Sequence, residues 1–531
     1  MLSTSQTKTA RLTNLRWHRA LGWWTAAAIL IWGLSAITHP LMAWFGPKAV
    51  SFFPPSMQIN SQLVDTIPRV LRENAVNQAH VAKVIASENG PLLQITEAAG
   101  KPRRYFDLKT QHELTDYDQQ QARWLASYYT GRPQSEIDAV TMQTEFNHQY
   151  PWVNRLLPVY RIEFAGSEQL TAYIHTETNA LASLSNQTKR VLQGLFQALH
   201  SWDWLSASTD STKAGVEWIR VILIALFMCC LATMAITGLS LLALLKQRRM
   251  PQATRYWHRI LGYALWLPIL GWSASGFYHL LQSAYIAPGD ERVIGIQLPP
   301  VMDLRSLELA NASSDPSTTL EQFALSNTPL NAVNVIAADN QIYYRLSKAV
   351  TDKTVPSRQQ VYQGRPKESG AIYLDSATGN KATLTDQQMA QFMAVGLTGL
   401  NTEDIVQVLQ IKRFGPGYDF RNKRLPVWQV DFANDEQHRI FVDPASGVLV
   451  DQNRAIDRYE SWSFSLLHKW NHLTPLMGRF KRDILIVATL LVIGIFTVFG
   501  VMQLRRRSRP VNRQPSPQTV NQWNPQTDQG E

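Results

Sequence analysis

The chain has 531 residues, a formal net charge of +10 and only two cysteines. Those cysteines, Cys229 and Cys230, are adjacent inside an apolar run, which excludes a disulfide framework and a cysteine-ligated cluster. The positive charge does not indicate a nucleic-acid partner, because it is concentrated in three short segments with fourteen Lys or Arg and two acids: residues 1–19, 246–259 and 505–531.

Four apolar runs without charged residues are long enough to cross a lipid bilayer, and they lie at about 21–45, 221–245, 261–281 and 484–504. The three basic segments flank these runs on one side. Cytoplasmic loops carry an excess of Lys and Arg, so this side and both termini are predicted to be cytoplasmic. The two long connections between the runs then lie outside.

The first and third runs each carry a histidine near both ends: His18 with His39, and His258 with His279. A separation of 21 residues spans about 31 Å of helix, close to the thickness of the hydrocarbon core. Twenty-one steps also leave the two side chains on one broad face. If the two helices lie side by side, His18 lies near His258 and His39 lies near His279.

The two halves of the chain repeat each other. An offset of 268 residues carries the segment 154–165 onto 422–433, and it carries Leu199-His200-Ser201-Trp202 onto Leu467-His468-Lys469-Trp470. The first and third runs match at an offset of 240 through Trp17/Trp257, His18/His258 and His39/His279. The difference places extra residues of the second half between about 285 and 370. Parallel repeats related by an axis along the membrane normal are predicted.

Alternating apolar and polar residues in the connections predict strands at 159–164, 171–174, 427–432 and 439–442. Helices are predicted at 118–128 and 387–393, and Asp443 to Gly447 supplies a turn. Each connection is therefore expected to fold as a small α+β domain.

Short motifs in both halves resemble a known family. Tyr105-Phe106-Asp107 and the turn from Asp443 to Gly447 resemble the PepSY domain, while the Trp-His-Arg-x-Leu-Gly opening of a span and the following Leu-His-x-Trp resemble the PepSY-associated transmembrane family. The resemblance covers the chain to about residue 507. It implies an inner-membrane protein of iron uptake, similar to haem-containing reductases that release iron from ferric siderophores in the periplasm.

The predicted fold is an α-helical four-span bundle built from a parallel internal duplication, with two periplasmic α+β, PepSY-like domains. Its segments are a cytoplasmic N-terminus (1–20), spans at 21–45, 216–245, 260–283 and 481–505, periplasmic domains at 46–215 and 284–480, a cytoplasmic loop (246–259) and a disordered cytoplasmic tail (506–531).

Histidines inside or beside a span are functional candidates, because imidazole is costly in the bilayer and is a common axial ligand of haem. The pattern favours two b-type haems. His18 and His258 are the expected inner axial pair. The outer pair is open among His39, His279, His200 and His468. Arg16, Arg19, Arg255 and Arg259 are expected either to pair with haem propionates or to act only as cytoplasmic anchors.

The leading hypothesis is a di-haem b oxidoreductase that reduces a ferric siderophore or other ferric complex. The chain has no Gly-x-Gly-x-x-Gly motif, so its electrons are expected from a membrane quinol or a separate cytoplasmic reductase. One alternative is a membrane-anchored PepSY module that regulates a peptidase or envelope partner without redox activity. Another is a transporter of a small ligand or metal.

Overall fold

The structure is a computed structural model that describes residues 4–55, 57–206, 214–244, 252–286, 295–305, 307, 330–338, 341–348, 371–415 and 417–507. The predicted tail beyond residue 507 lies outside the described residues. So do residues 246–251 of the predicted cytoplasmic loop and most of the region predicted to hold the extra residues of the second half.

Four helices are long and apolar enough to cross a membrane, as predicted, and they are called spans 1 to 4: Gly22–Phe45, Val216–Leu244, Ala253–Tyr285 and Asn471–Arg505. Span 1 is built from three segments, Gly22–Ala28, a π-helix at Ile29–Gly33, and Leu34–Phe45. The helix Thr4–Ala20 precedes it. The other long helices run over Ala214–Leu244, Ala253–Leu281 and Thr474–Arg507.

Spans 1 and 3 lie diagonally across the bundle, since each packs against spans 2 and 4. Glycines mark these close approaches, because a missing side chain lets helices come together. Gly262 of span 3 faces Leu242 of span 2 and Phe496 of span 4, while Gly22 of span 1 faces Leu504 of span 4. The side-by-side arrangement of spans 1 and 3, which was the condition for pairing their histidines, is therefore not the one observed.

Two antiparallel four-stranded sheets form outside the bundle. Their strands are Ile137–Gln143, Val159–Phe164, Thr171–His175 and Ala180–Ser185 in one, and Ile405–Ile411, Val427–Phe432, Arg439–Asp443 and Val448–Asn453 in the other. One helix packs on each sheet, Tyr117–Thr130 on the first and Asp386–Thr398 on the second. The predicted strands and helices are confirmed here.

A six-stranded sheet joins the two halves of the chain. In spatial order its strands are Ala371–Asp375, Gln341–Lys348, Leu330–Ala338, Val81–Ser87, Gly90–Thr96 and Arg104–Asp107. At its centre Val333, from the second half, pairs with Val84, from the first. The same sheet contributes to a buried apolar core that includes Leu93, Phe106 and Leu346. The two external regions therefore share one hydrophobic core.

The remaining elements are short. Gln78–Ala79 pairs with Met302–Asp303, and Leu156–Leu157 pairs with Gly295–Ile296. Helices at Ile67–Glu73, Gln187–Phe196 and Ala455–Ser463 and π-helices at Gln197–Ser201, Gln282–Ile286 and Phe464–His468 complete the longer helical segments. Single 3-10 turns occur at Ser61–Thr66, Gln134–Glu136, Trp152–Asn154, Asp203–Leu205, Thr402–Asp404, Phe420–Asn422 and Asn471–Leu473.

A buried ion network also ties the halves together. The carboxylate of Glu177 accepts Lys83 at 2.6 Å and Arg424 at 2.7 Å, and all three side chains are at most 10% exposed. Arg155 reaches Asp451 at 2.7 Å across the same boundary. Because a buried charge is costly when its partner is removed, this network holds the two regions in one relative position.

We predict that Arg424→Met lowers the free energy of unfolding by about 3 kcal/mol, because Glu177 and Asp443 lose a buried partner. The measurement is chemical denaturation of the purified protein in detergent. Arg104→Met is the matched control: Arg104 pairs with Glu97 and Glu113 on the surface, so its loss should cost less than about 1 kcal/mol. Equal losses in the two variants would contradict this role for the network.

Candidate functional site

The structure brings His18 and His258 together across the bundle, as the sequence predicts. Their ring centroids are 6.4 Å apart and the ring planes are inclined by 68°. His18 lies on the helix Thr4–Ala20, and His258 lies in the second turn of Ala253–Leu281. Because spans 1 and 3 are diagonal, the two imidazoles meet across the bundle rather than at the contact between neighbouring helices.

Residues of spans 2 and 4 fix these two rings. The Nδ1 atom of His18 lies 3.3 Å from the hydroxyl of Thr237, and a Cβ at Gly238 would lie 3.4 Å from its Cε1. A Cβ at Gly500 would lie 3.3 Å from Cε1 of His258. The His258 ring also stacks on Phe496 at 4.4 Å. Each imidazole therefore lies edge-on to a glycine that admits it.

A second pair forms on the other side of the membrane-spanning region. His200 and His468 have ring centroids 6.4 Å apart, inclined by 78°. Each lies on a π-helix, Gln197–Ser201 or Phe464–His468. Short π-helical segments occur often at functional sites, because the extra residue redirects side chains within a helix.

The same contacts orient both outer histidines. Ser35 lies 3.1 Å from Nδ1 of His200, and Ser275 lies 3.3 Å from Nδ1 of His468. The indole N–H groups of Trp32 and Trp272 donate to the backbone carbonyls of His200 and His468, each at 2.9 Å. With Nδ1 engaged by serine, Nε2 is the nitrogen left for a ligand, which is how partners of a metal-bound histidine orient its ring.

Burial keeps the outer histidines neutral. It lowers the pKa of His200 to about 4, and it lowers the pKa of His468 to about 3, with the neighbouring His200 acting in the same direction. A neutral imidazole has a lone pair available for a metal, whereas an imidazolium does not.

His39 and His279 make no ring contact with each other among the described residues. His39 packs near Phe196 at 6.1 Å, and His279 stacks on Phe464 at 4.5 Å. The same phenylalanines stack on His200 and His468, at 4.6 and 4.5 Å. His39 and His279 therefore flank the outer pair, and His279 Nδ1 lies 2.6 Å from Glu460.

A cavity of about 2850 Å³ opens on the outer pair. Its lining includes His39, His200, His279 and His468 together with residues of both external regions. This volume exceeds that of an ordinary small-molecule pocket, about 300–1,000 Å³, so the cavity has room for a bulky ligand beside the histidines.

The four arginines expected near the inner pair differ in exposure and contacts. Arg16 and Arg19 are exposed, and Arg255 is half-buried. Arg259 lies over the Tyr263 ring at 5.9 Å and donates to its hydroxyl at 3.3 Å. Their two expected roles, propionate partner or cytoplasmic anchor, stay predictions.

The spacing of each histidine pair leaves room for one metal atom between the two rings. A metal–imidazole bond of about 2.0 Å, with the ring centre roughly 1.1 Å beyond the nitrogen, puts two rings on opposite sides of one metal about 6.2 Å apart. Both observed separations are 6.4 Å. No group of three or more His, Cys, Asp or Glu that could hold a metal ion occurs in the part of the chain that the structure describes. A two-histidine site suits a cofactor that brings its own equatorial ligands.

The orienting residues were missed from the sequence, although a signal for several was present. Ser35 and Ser275 share the offset of 240 that relates spans 1 and 3, and Phe196 and Phe464 share the offset of 268. The contact of Gly238 with His18 and of Gly500 with His258 follows neither offset. It depends on how spans 2 and 4 are placed against spans 1 and 3.

A scan against known protein families and a search of curated proteins both found no match. The function of the chain is therefore inferred from the two histidine pairs and the cavity beside them.

Proposed function

We propose that the protein is an inner-membrane b-type di-haem oxidoreductase that passes electrons to a ferric complex, such as a ferric siderophore, in the periplasm. The observation that carries this proposal is the presence of two separate histidine pairs with the same 6.4 Å ring separation. His18, in the helix that precedes span 1, and Ser35, in span 1, mark the levels of the two pairs, and they are 17 residues apart, or about 26 Å of helix. The pairs are thus suited to opposite faces of one membrane.

Each pair would hold one haem b through its two imidazoles, with Nε2 the free nitrogen in His18, His200 and His468. Bound haem would supply reversible one-electron transfer. The role of the chain is to hold the imidazoles neutral and fixed. Thr237, Ser35 and Ser275 engage Nδ1, and the glycines facing His18 and His258 keep the neighbouring helices close.

In the proposed reaction a quinol or a cytoplasmic reductase is oxidised at the inner side, and one Fe(III) is reduced to Fe(II) for each electron delivered outside. The cavity beside His200 and His468 would hold the ferric complex, and the protein would exclude bulk water from the buried rings. The internal repeat and the PepSY-like motifs agree with this proposal. Each half of the chain supplies one histidine of each pair, and the external regions of both halves line the cavity.

We predict that the purified protein has the absorption spectrum of six-coordinate haem b. His18→Ala and His258→Ala should each lose about half of the haem absorbance, as should His200→Ala and His468→Ala, because each removes one axial ligand of one site. The measurement is a reduced-minus-oxidised spectrum at known protein concentration. The exposed His112 gives the control His112→Ala, which should keep full absorbance. Full haem absorbance in all four histidine variants would contradict both proposed haem sites.

We also predict that Gly500→Val reduces haem binding at the inner site, because its side chain would push His258 from a position where even a Cβ lies at 3.3 Å. Gly494→Val, in the same helix, is the matched control, since a Cβ at Gly494 meets no atom within 4 Å. The two variants are compared by haem absorbance and by thermal unfolding, which separates a local effect from general destabilisation. Equal absorbance would show that the ring position does not depend on this contact.

A further inference from the structure

The cavity beside the outer histidines has an excess of positive charge. Fifteen Lys or Arg and nine Asp or Glu line it. Many of these charges are paired within the protein, as in Arg345 with Asp386 and Arg421 with Asp419. The location of the unpaired cations therefore matters more than the total.

Four cations gather where span 4 begins, and they are called the cationic cluster: Lys469, Arg479, Lys481 and Arg482, all of which line the cavity. The buried carboxylate of Asp483 pairs with both arginines: it lies 3.6 Å from Arg479 and accepts a hydrogen bond from Arg482. Among the residues that the structure describes, Lys469 and Lys481 have no carboxylate within 4.0 Å. Neither lysine therefore forms a contact ion pair, and Lys469 lies only in the longer-range field of Asp419 and Glu460.

The corresponding turn of span 2 is not cationic. Gly238 and Gly500 occupy matching places, each against an inner histidine. Counting back from these two glycines, Glu217 of span 2 matches Arg479 of span 4, both 21 residues away. Ile219 of span 2 likewise matches Lys481 of span 4, both 19 residues away. In span 2, Glu217 also neutralises Arg220. Arg220 and Arg482 match at this alignment, so the cations that belong to the second half alone are Lys469, Arg479 and Lys481. The shared architecture of the bundle does not require these three.

The cluster lies next to the outer pair. The ammonium of Lys469 is 4.7 Å from the centre of the Phe464 ring, which stacks on His468 and His279, each at 4.5 Å. A negatively charged ligand that contacts Lys469 is therefore separated from an outer histidine by little more than one aromatic ring.

The side of the membrane makes these charges informative. Lys and Arg beside a span are favoured on the cytoplasmic side, yet in the proposed topology the cluster lies outside. Positive charges that oppose this bias suggest a ligand of opposite charge, because clefts lined by one sign of charge concentrate counter-ions.

We propose that the cationic cluster makes the cavity selective for anionic ferric chelates, with carboxylate or catecholate oxygens around the metal, over cationic ones. This inference rests on the proposed function and names its class of substrate. Lys469 and Lys481 act as specificity-determining residues that bind the negative charge of the complex. Lipid phosphates carry the same charge, but the cluster lines the cavity that also holds His200, His279 and His468, which favours a soluble chelate.

The test is equilibrium binding of two redox-inert gallium(III) complexes to the purified haem-loaded protein, measured by dialysis. One is gallium citrate, which is anionic, and the other is a gallium trihydroxamate with a free ammonium group, which is cationic. Gallium citrate should bind more tightly, and Lys481→Gln and Lys469→Gln should each weaken it about tenfold at low salt. The exposed Lys101, which does not line the cavity, gives the control Lys101→Gln.

Binding of gallium citrate should also weaken as salt is added, because dissolved ions screen the attraction between the lysines and the anionic complex. Equal binding of the two complexes, or unchanged citrate binding in both cluster variants, would overturn the inference. So would a loss of citrate binding when anionic lipid vesicles, but not neutral ones, compete for the protein.

Reoxidation of the reduced protein by ferric citrate tests the proposed function separately. Selective gallium citrate binding without reoxidation would leave the anion site standing and would contradict the reductase. Reoxidation by ferric citrate without charge-selective binding would support the reductase and would overturn the anion site. Haem absorbance, recorded for each variant, shows whether Lys469→Gln has disturbed the neighbouring His468.

Discussion

The arrangement of the molecule depends on holding two pairs of imidazoles, each drawn from distant parts of the chain, at a fixed edge-to-face separation. Both pairs keep a ring separation of 6.4 Å, wider than the 4.4–4.6 Å of the histidine–phenylalanine stacks around them. Here the Nδ1 contacts of His18, His200 and His468 and the glycines against the inner rings hold each ring from behind.

The external regions take part in this constraint because the outer histidines directly follow them. His200 comes after the strand Ala180–Ser185 and the helix Gln187–Phe196, and His468 follows Val448–Asn453 and Ala455–Ser463 in the same order. The shared six-stranded sheet and the buried Glu177 network fix these two units relative to each other. A movement between the halves would change the distance between His200 and His468, so packing far from the membrane contributes to the geometry of the outer pair.

Much of this could be predicted from the sequence, and the failures have a physical reason. The four spans follow from the length of the apolar runs, and the strand Val159–Phe164 follows from alternation of apolar and polar residues. The contact between His18 and His258 follows from the repeat. The sequence could not select His200 and His468 as the outer pair over His39 and His279. The separation of 21 residues concerns only the helices of spans 1 and 3, whereas His200 and His468 lie on segments that approach from the external regions.

Tertiary placement also decided the cationic cluster and the diagonal arrangement of spans 1 and 3. The sequence counts the charges near span 4 but does not show that Asp483 compensates the arginines and leaves Lys481 without a carboxylate partner. Close helix contacts at Gly22 and Gly262 set which spans are neighbours, and these contacts depend on pairs of residues distant in the chain.

The central claim is that each chain holds two haems, one at each histidine pair. The most direct measurement is the ratio of haem b to protein, from the absorbance of extracted haem and quantitative amino-acid analysis of the same purified sample. Two haems per chain are expected. One haem per chain, or none, in protein prepared with excess haem would contradict the account.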